Sequence, residues 1–66
     1  MCEARVYMER DGQREKVMED VVRIESTEAG IVLTKLFEPP QTVQGVIRGI
    51  DFLKHSVTLT REGTDL

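Results

Sequence analysis

The sequence predicts an all-β fold, with five or six short antiparallel strands rolled into a small barrel or sandwich. Three observations carry that reading. Apolar residues recur at every second position in several segments, and turn signals separate those segments. No stretch shows a convincing 3.6-residue apolar stripe. The best helical competitor, Glu15 to Ile24, contains a Val21-Val22 pair and lacks capping residues.

Each element follows from its residues. In the first segment Cys2, Ala4, Val6 and Met8 alternate with Glu3, Arg5, Tyr7 and Glu9, the pattern of a half-buried strand. Asp11-Gly12 then reads as a hairpin turn. A second strand runs from about Arg14 to Met18, and Glu19-Asp20 marks a kink or short turn. Beyond it Val22 and Ile24 share a face, with Arg23 and Glu25 opposite. Ser26 to Gly30 is a turn cluster. Ile31 to Phe37 is rich in β-branched residues and too apolar for a surface strand, so it is expected centrally. Pro39-Pro40 ends it, because proline cannot donate to a ladder.

Thr42 to Phe52 is expected as a further strand, bent or bulged at Gly45 and Gly49, with Val43, Gly45 and Ile47 on one side. Leu53-Lys54-His55 connects it to Ser56–Arg61, in which Val57 and Leu59 point inward and Thr58 and Thr60 outward. The polar tail from Glu62 to Leu66 is expected to fray. A closed or nearly closed barrel would remove exposed edges.

Residues 1–66 make a single small domain. In so short a chain the gain from burial and the cost of ordering nearly cancel, and a disulfide, a metal or a partner chain is the usual staple. One cysteine excludes an intrachain disulfide and points to a reducing compartment. No signal peptide pattern and no apolar run of membrane-spanning length is present, so the expected location is cytoplasmic and no membrane partner is expected. Nine basic residues against twelve acidic ones give a net charge of −3. The bases alternate with acids rather than clustering, and the three aromatics do not interleave with them. That is a poor footprint for nucleic acid.

Catalytic templates are missing. No phosphate-binding glycine pattern occurs, Cys2 and His55 lie at opposite ends of the sequence, and no carboxylate pair stands out. The chain is not expected to be an enzyme.

Cys2 carries two readings. As a small apolar side chain it opens the first strand, since free cysteine is among the most buried residue types. As a metal ligand it draws on its position: if Met1 is removed, the free amine and the thiolate of Cys2 close a five-membered chelate ring. One such residue supplies two donors, and two chains related by a two-fold axis supply four. Metal capture and dimerisation are thereby coupled. A planar nitrogen and sulfur set favours Ni²⁺ or copper, and a tetrahedral one favours Zn²⁺. His55, the only imidazole, is either an exposed turn residue or a further metal donor.

Met1-Cys2 at the start of a strand, Asp11-Gly12, Val17-Met18-Glu19-Asp20-Val21, Leu33-Thr34-Lys35-Leu36-Phe37, and Gly45 to Ile50 leading into Asp51-Phe52-Leu53-Lys54-His55 together resemble the CooT family. These are small nickel-binding proteins associated with maturation of carbon monoxide dehydrogenase, and some relatives have carried the label of predicted RNA-binding protein. The resemblance runs from Met1 to about Leu59. It implies an SH3-like β-barrel, a homodimer, and nickel bound through the cysteine that follows the initiator methionine, which is Cys2 here. Many relatives also have a histidine where this chain has His55. Glu38-Pro39-Pro40 departs from the Gly-Glu turn often found in relatives, which affects the loop and leaves Cys2 untouched.

The leading expectation is therefore a nickel-binding accessory protein, a metallochaperone or nickel store, that serves a nickel enzyme or its maturation factors. Two alternatives stand beside it. One is an RNA-binding barrel, disfavoured by the acidic balance. The other is a protein-interaction module with a structural Cys2.

Overall fold

A computed structural model describes residues 3–61. The strands are Ala4–Arg10 (β1), Gln13–Thr27 (β2), Gly30–Lys35 (β3), Gln41–Val43 (β4), Val46–Asp51 (β5) and Ser56–Thr60 (β6). They form one sheet in the order β4-β3-β2-β1-β6-β5. The all-β reading holds, with six strands, and the fraying expected of the tail falls outside the described residues.

Two details differ from a closed antiparallel barrel. β1 and β6 pair in parallel, from Arg5 opposite Ser56 to Glu9 opposite Thr60, whereas every other pairing is antiparallel. The sheet also stops short of closure, because among the described residues no ladder joins β4 to β5. It is nevertheless strongly curled. β4 and β5 lie at opposite edges of the sheet, yet only Gln44 and Gly45 separate them in sequence. Two residues span roughly 10 Å between flanking Cα atoms, so the two edges must approach each other there.

Local chemistry makes that approach possible. Gly45 has φ 146° and packs so tightly that a Cβ would sit 2.7 Å from the Thr60 carbonyl oxygen. Only glycine fits. Gln44 anchors the crossing by donating from Nε2 to the Ala29 carbonyl at 2.7 Å. The single strand expected over Thr42 to Phe52 is accordingly two strands, split at Gln44-Gly45 and paired with different neighbours.

β2 continues through the kink expected at Glu19-Asp20. Asp20 adopts φ 61° and the pairing to β3 shifts between Val21 and Arg23, which bends one long strand instead of ending it. Its first part pairs with β1 and its second with β3. β3 ends at Lys35, two residues earlier than expected, because Phe37 takes φ 62° in the turn that follows. It is an interior strand, as its composition implied.

The core lies on the concave face. β1 contributes Val6 and Met8, and β6 contributes Val57 and Leu59 directly beside them. Val21, Ile31 and Leu33 cover these from the other half of the curl. Met18, Ile24 and Val43 pack around the margin.

β5 is different, for all six of its residues are exposed. Ile47 pairs opposite Leu59 and Ile50 opposite Val57, with a register shift between Ile47 and Gly49. Directly opposed residues share a face. Both isoleucines therefore point to the core side, but they remain 39% and 51% exposed, at the edge of a curl that does not close.

Candidate metal centre

The strand that follows Cys2 in sequence is fixed by its parallel partner. Arg5 donates its backbone N–H to the His55 carbonyl at 2.9 Å, and its guanidinium Nη2 donates to the Lys54 carbonyl at 3.0 Å. The β5–β6 turn is thus clamped against the start of β1. Asp51 shapes that turn from within: its Oδ1 accepts from the backbone N–H groups of Leu53 at 3.0 Å and Lys54 at 3.1 Å. This is an Asx-type turn, in which a short carboxylate satisfies amides that no ladder reaches.

His55 closes the turn with φ 54°, in the left-handed region that histidine visits more readily than most residues. Its conformation brings Ser56, which is buried, into register with Arg5. The sequence expectation of a connecting turn here is met, and the imidazole belongs to an exposed residue.

Beside the turn lies a cavity of about 150 Å³. Ala4, Ile50, Phe52 and Val57 give it a largely apolar lining. Glu3, Asp51, His55 and Ser56 also line it. Its volume is about half the lower bound for pockets that enclose small organic ligands. Its largely apolar lining suits an apolar side chain from another molecule better than a metabolite.

Cys2 lies outside the described residues. His55 and Glu3, the residue after Cys2, line the same cavity although 52 positions separate them in sequence. Among the described residues no three His, Cys, Asp or Glu side chains are placed to hold one metal ion.

Glu3 and Asp51 escaped the sequence reading. Glu3 looked like the solvent side of a strand, and Asp51 gave no signal beyond preceding a turn. An Asp two and three residues ahead of unpaired turn amides is the pattern that could have revealed Asp51.

Ion pairs stand away from the cavity. Lys16 meets Glu19 at 2.9 Å, Arg23 meets Glu25 at 3.1 Å, and Arg48 meets Glu9 at 2.9 Å. Arg14 lies over the Tyr7 ring, 4.1 Å from its centroid. The Lys16 hydrogen bond and positive charge hold the Glu19 carboxyl below its ordinary pKa of 4.5. All these groups sit on solvated strand faces and stabilise the sheet modestly.

The sequence and the fold both have known relatives. The chain matches the family described as "CO dehydrogenase accessory protein CooT" over residues 1–60. A crystal structure named for CooT from Carboxydothermus hydrogenoformans is similar at a TM-score of 0.83 and 26% sequence identity, covering 94% of this chain and 100% of that one. No functionally curated protein is significantly similar to the chain. The match over 60 of 66 residues, Cys2 included, together with the shared small β fold, shows that the chain belongs to the CooT family of carbon monoxide dehydrogenase accessory proteins.

Proposed function

We propose that this protein is a nickel-binding accessory protein, a cytoplasmic metallochaperone or nickel store, that holds Ni²⁺ through Cys2 at the interface of a homodimer. The observation that carries the reading is the clamp between the start of β1 and the β5–β6 turn. It places Glu3, next in sequence to Cys2, on the same cavity as the only imidazole of the chain.

The donor set fits the ion. A deprotonated thiol and amine form a nitrogen and sulfur chelate, and two chains related by a two-fold axis complete four donors of the kind that nickel accepts in a plane. His55 is a candidate further donor or a transient ligand on the exit route, because it is exposed beside the cavity. Nickel is cargo here. A site shared by two small subunits and open to solvent can deliver its ion to a larger enzyme by ligand exchange.

Isothermal titration of untagged protein with Ni²⁺ tests the assignment. The Cys2→Ser variant should lose at least a hundredfold in nickel affinity while its circular dichroism keeps the strand signature. Equal affinity in parent and variant would make the Cys2 assignment wrong.

A further inference from the structure

Bases that are dispersed along the sequence gather in space on the convex face of the sheet. Tyr7 and Glu9 of β1 point away from the buried Val6 and Met8, and directly opposed residues share their face. Lys16 and Arg14 stand opposite them on β2, and Thr58 and Thr60 on β6. Arg48 reaches the same face from β5, since it meets Glu9 at 2.9 Å. Arg5 joins from the start of β1 and Lys54 from the β5–β6 turn, tied together by the 3.0 Å bond from the Arg5 guanidinium to the Lys54 carbonyl.

The result is a separation of charge. These five cations stand with three carboxylates, Glu9, Asp51 and Glu19, so the face carries +2 within a chain of net charge −3, and the remaining residues carry −5. Each of the three carboxylates is already engaged: Glu9 by Arg48, Glu19 by Lys16, and Asp51 by the Leu53 and Lys54 amides. Among the described residues, Arg5, Arg14 and Lys54 meet no carboxylate.

Two of those free cations are held in position. Arg14 stacks over Tyr7, which leaves the donor edge of its guanidinium open, and Arg5 is fixed by the Lys54 carbonyl. A depression of about 250 Å³ is lined by Arg14, Arg48 and Lys54 together with Gly49 and Thr58. Gly49 keeps it open, for a Cβ there would meet nothing within 4 Å.

We propose that this face binds an acidic segment of a partner protein, whose carboxylates pair with Arg14, Lys54 and Arg5. The proposal goes beyond the nickel reading and does not require it. Charge complementarity selects the occupant: positioned cations without counter-charges gain most from carboxylates, which arginine can grip with two parallel bonds. A nucleic acid fits less well. Glu9 and Asp51 interrupt any track for a phosphate backbone, and Tyr7, the aromatic of this face, lies under Arg14 and offers a base no platform.

Fluorescence anisotropy of a labelled peptide of alternating glutamate and glycine, titrated with untagged parent, R14Q/K54Q and R23Q/K35Q, tests the proposal. Both double variants carry a net charge of −5 and differ in where the two charges are removed. Arg14 and Lys54 are exposed, so the fold should persist, as circular dichroism would verify. The parent should bind the peptide with an affinity that falls as salt is raised. R14Q/K54Q should weaken binding at least about tenfold and R23Q/K35Q less than about threefold, as expected for loss of charge-assisted hydrogen bonds at one place. No binding by the parent at low salt, or equal weakening in both variants, would overturn the proposal. A short single-stranded RNA bound more tightly than the peptide, through Arg14 and Lys54, would make the occupant a nucleic acid and overturn it as well.

Discussion

Leu59 and Ile50 face the same side of the same sheet, on adjacent strands, and their truncation should cost very different amounts. Leu59 is fully buried between Met8 on one neighbour and Ile47 on the other, inside the contiguous core. Leu59→Ala removes three carbons from a site with no solvent to fill the gap, which costs about 3 kcal/mol. For a domain of this size each kcal/mol moves Tm by roughly 4–8 °C, so the expected fall is about 12–24 °C. That is a large share of a total stability of roughly 3–10 kcal/mol. Ile50 keeps 51% of its surface in water, so Ile50→Ala should cost about half as much. Urea denaturation followed by circular dichroism at low micromolar concentration measures both. There the proposed dimer contributes least. Equal costs at low concentration would refute the claim that β5 overhangs an incomplete curl.

Further predictions follow from single contacts. Gly45→Ala should destabilise by about 1–3 kcal/mol, since a Cβ would meet a backbone oxygen at 2.7 Å where φ is 146°, and a lowered urea midpoint with unchanged m-value would show it. Because Glu19 is held below 4.5 when folded, its contribution to stability is present at neutral pH and lost as pH falls through its folded pKa. The Tm difference between parent and Glu19→Gln should therefore be widest at neutral pH and vanish below that value. At His55, φ 54° favours glycine over alanine, so His55→Gly should melt higher than His55→Ala by a few degrees. If both variants bind nickel like the parent, His55 serves the turn and not the metal.

The sequence disclosed the strands better than their assembly. Alternation in Ala4–Arg10 and Ser56–Thr60 reads correctly because Val6, Met8, Val57 and Leu59 are buried on one face while Tyr7, Glu9, Thr58 and Thr60 on the other are only half-buried, and a period of two reports that directly. The parallel pairing of those strands was hidden, since pattern within a strand says nothing about the direction of its neighbour. The split at Gln44-Gly45 was misread as a bulge. A glycine signals unusual backbone, but whether the chain bends within a sheet or crosses between its edges depends on contacts with Thr60 and Ala29, far away in sequence. Phe37 misled for a similar reason. An aromatic at the end of a run that is apolar or β-branched except at Lys35 suggests a buried strand end, whereas its backbone turns left-handed and its ring is fully exposed.

The expectation of a metal ligand at Cys2 came from its position and the family pattern. The cavity near the start of β1 left no trace in the sequence, because only the fold brings Glu3 and the His55 turn together across 52 residues of sequence. A half-exposed isoleucine pair likewise leaves no mark in a one-dimensional pattern that resembles any other strand.

Native mass spectrometry of the untagged protein, titrated with Ni²⁺ and in parallel with Zn²⁺, tests the central claim most directly. A histidine tag must be absent, because it would bind nickel on its own. A dimer carrying one nickel ion, with Met1 missing from the mass and Zn²⁺ bound more weakly, is the predicted result. A chain that carries no metal above background, or binds nickel equally well as Cys2→Ser, would contradict it.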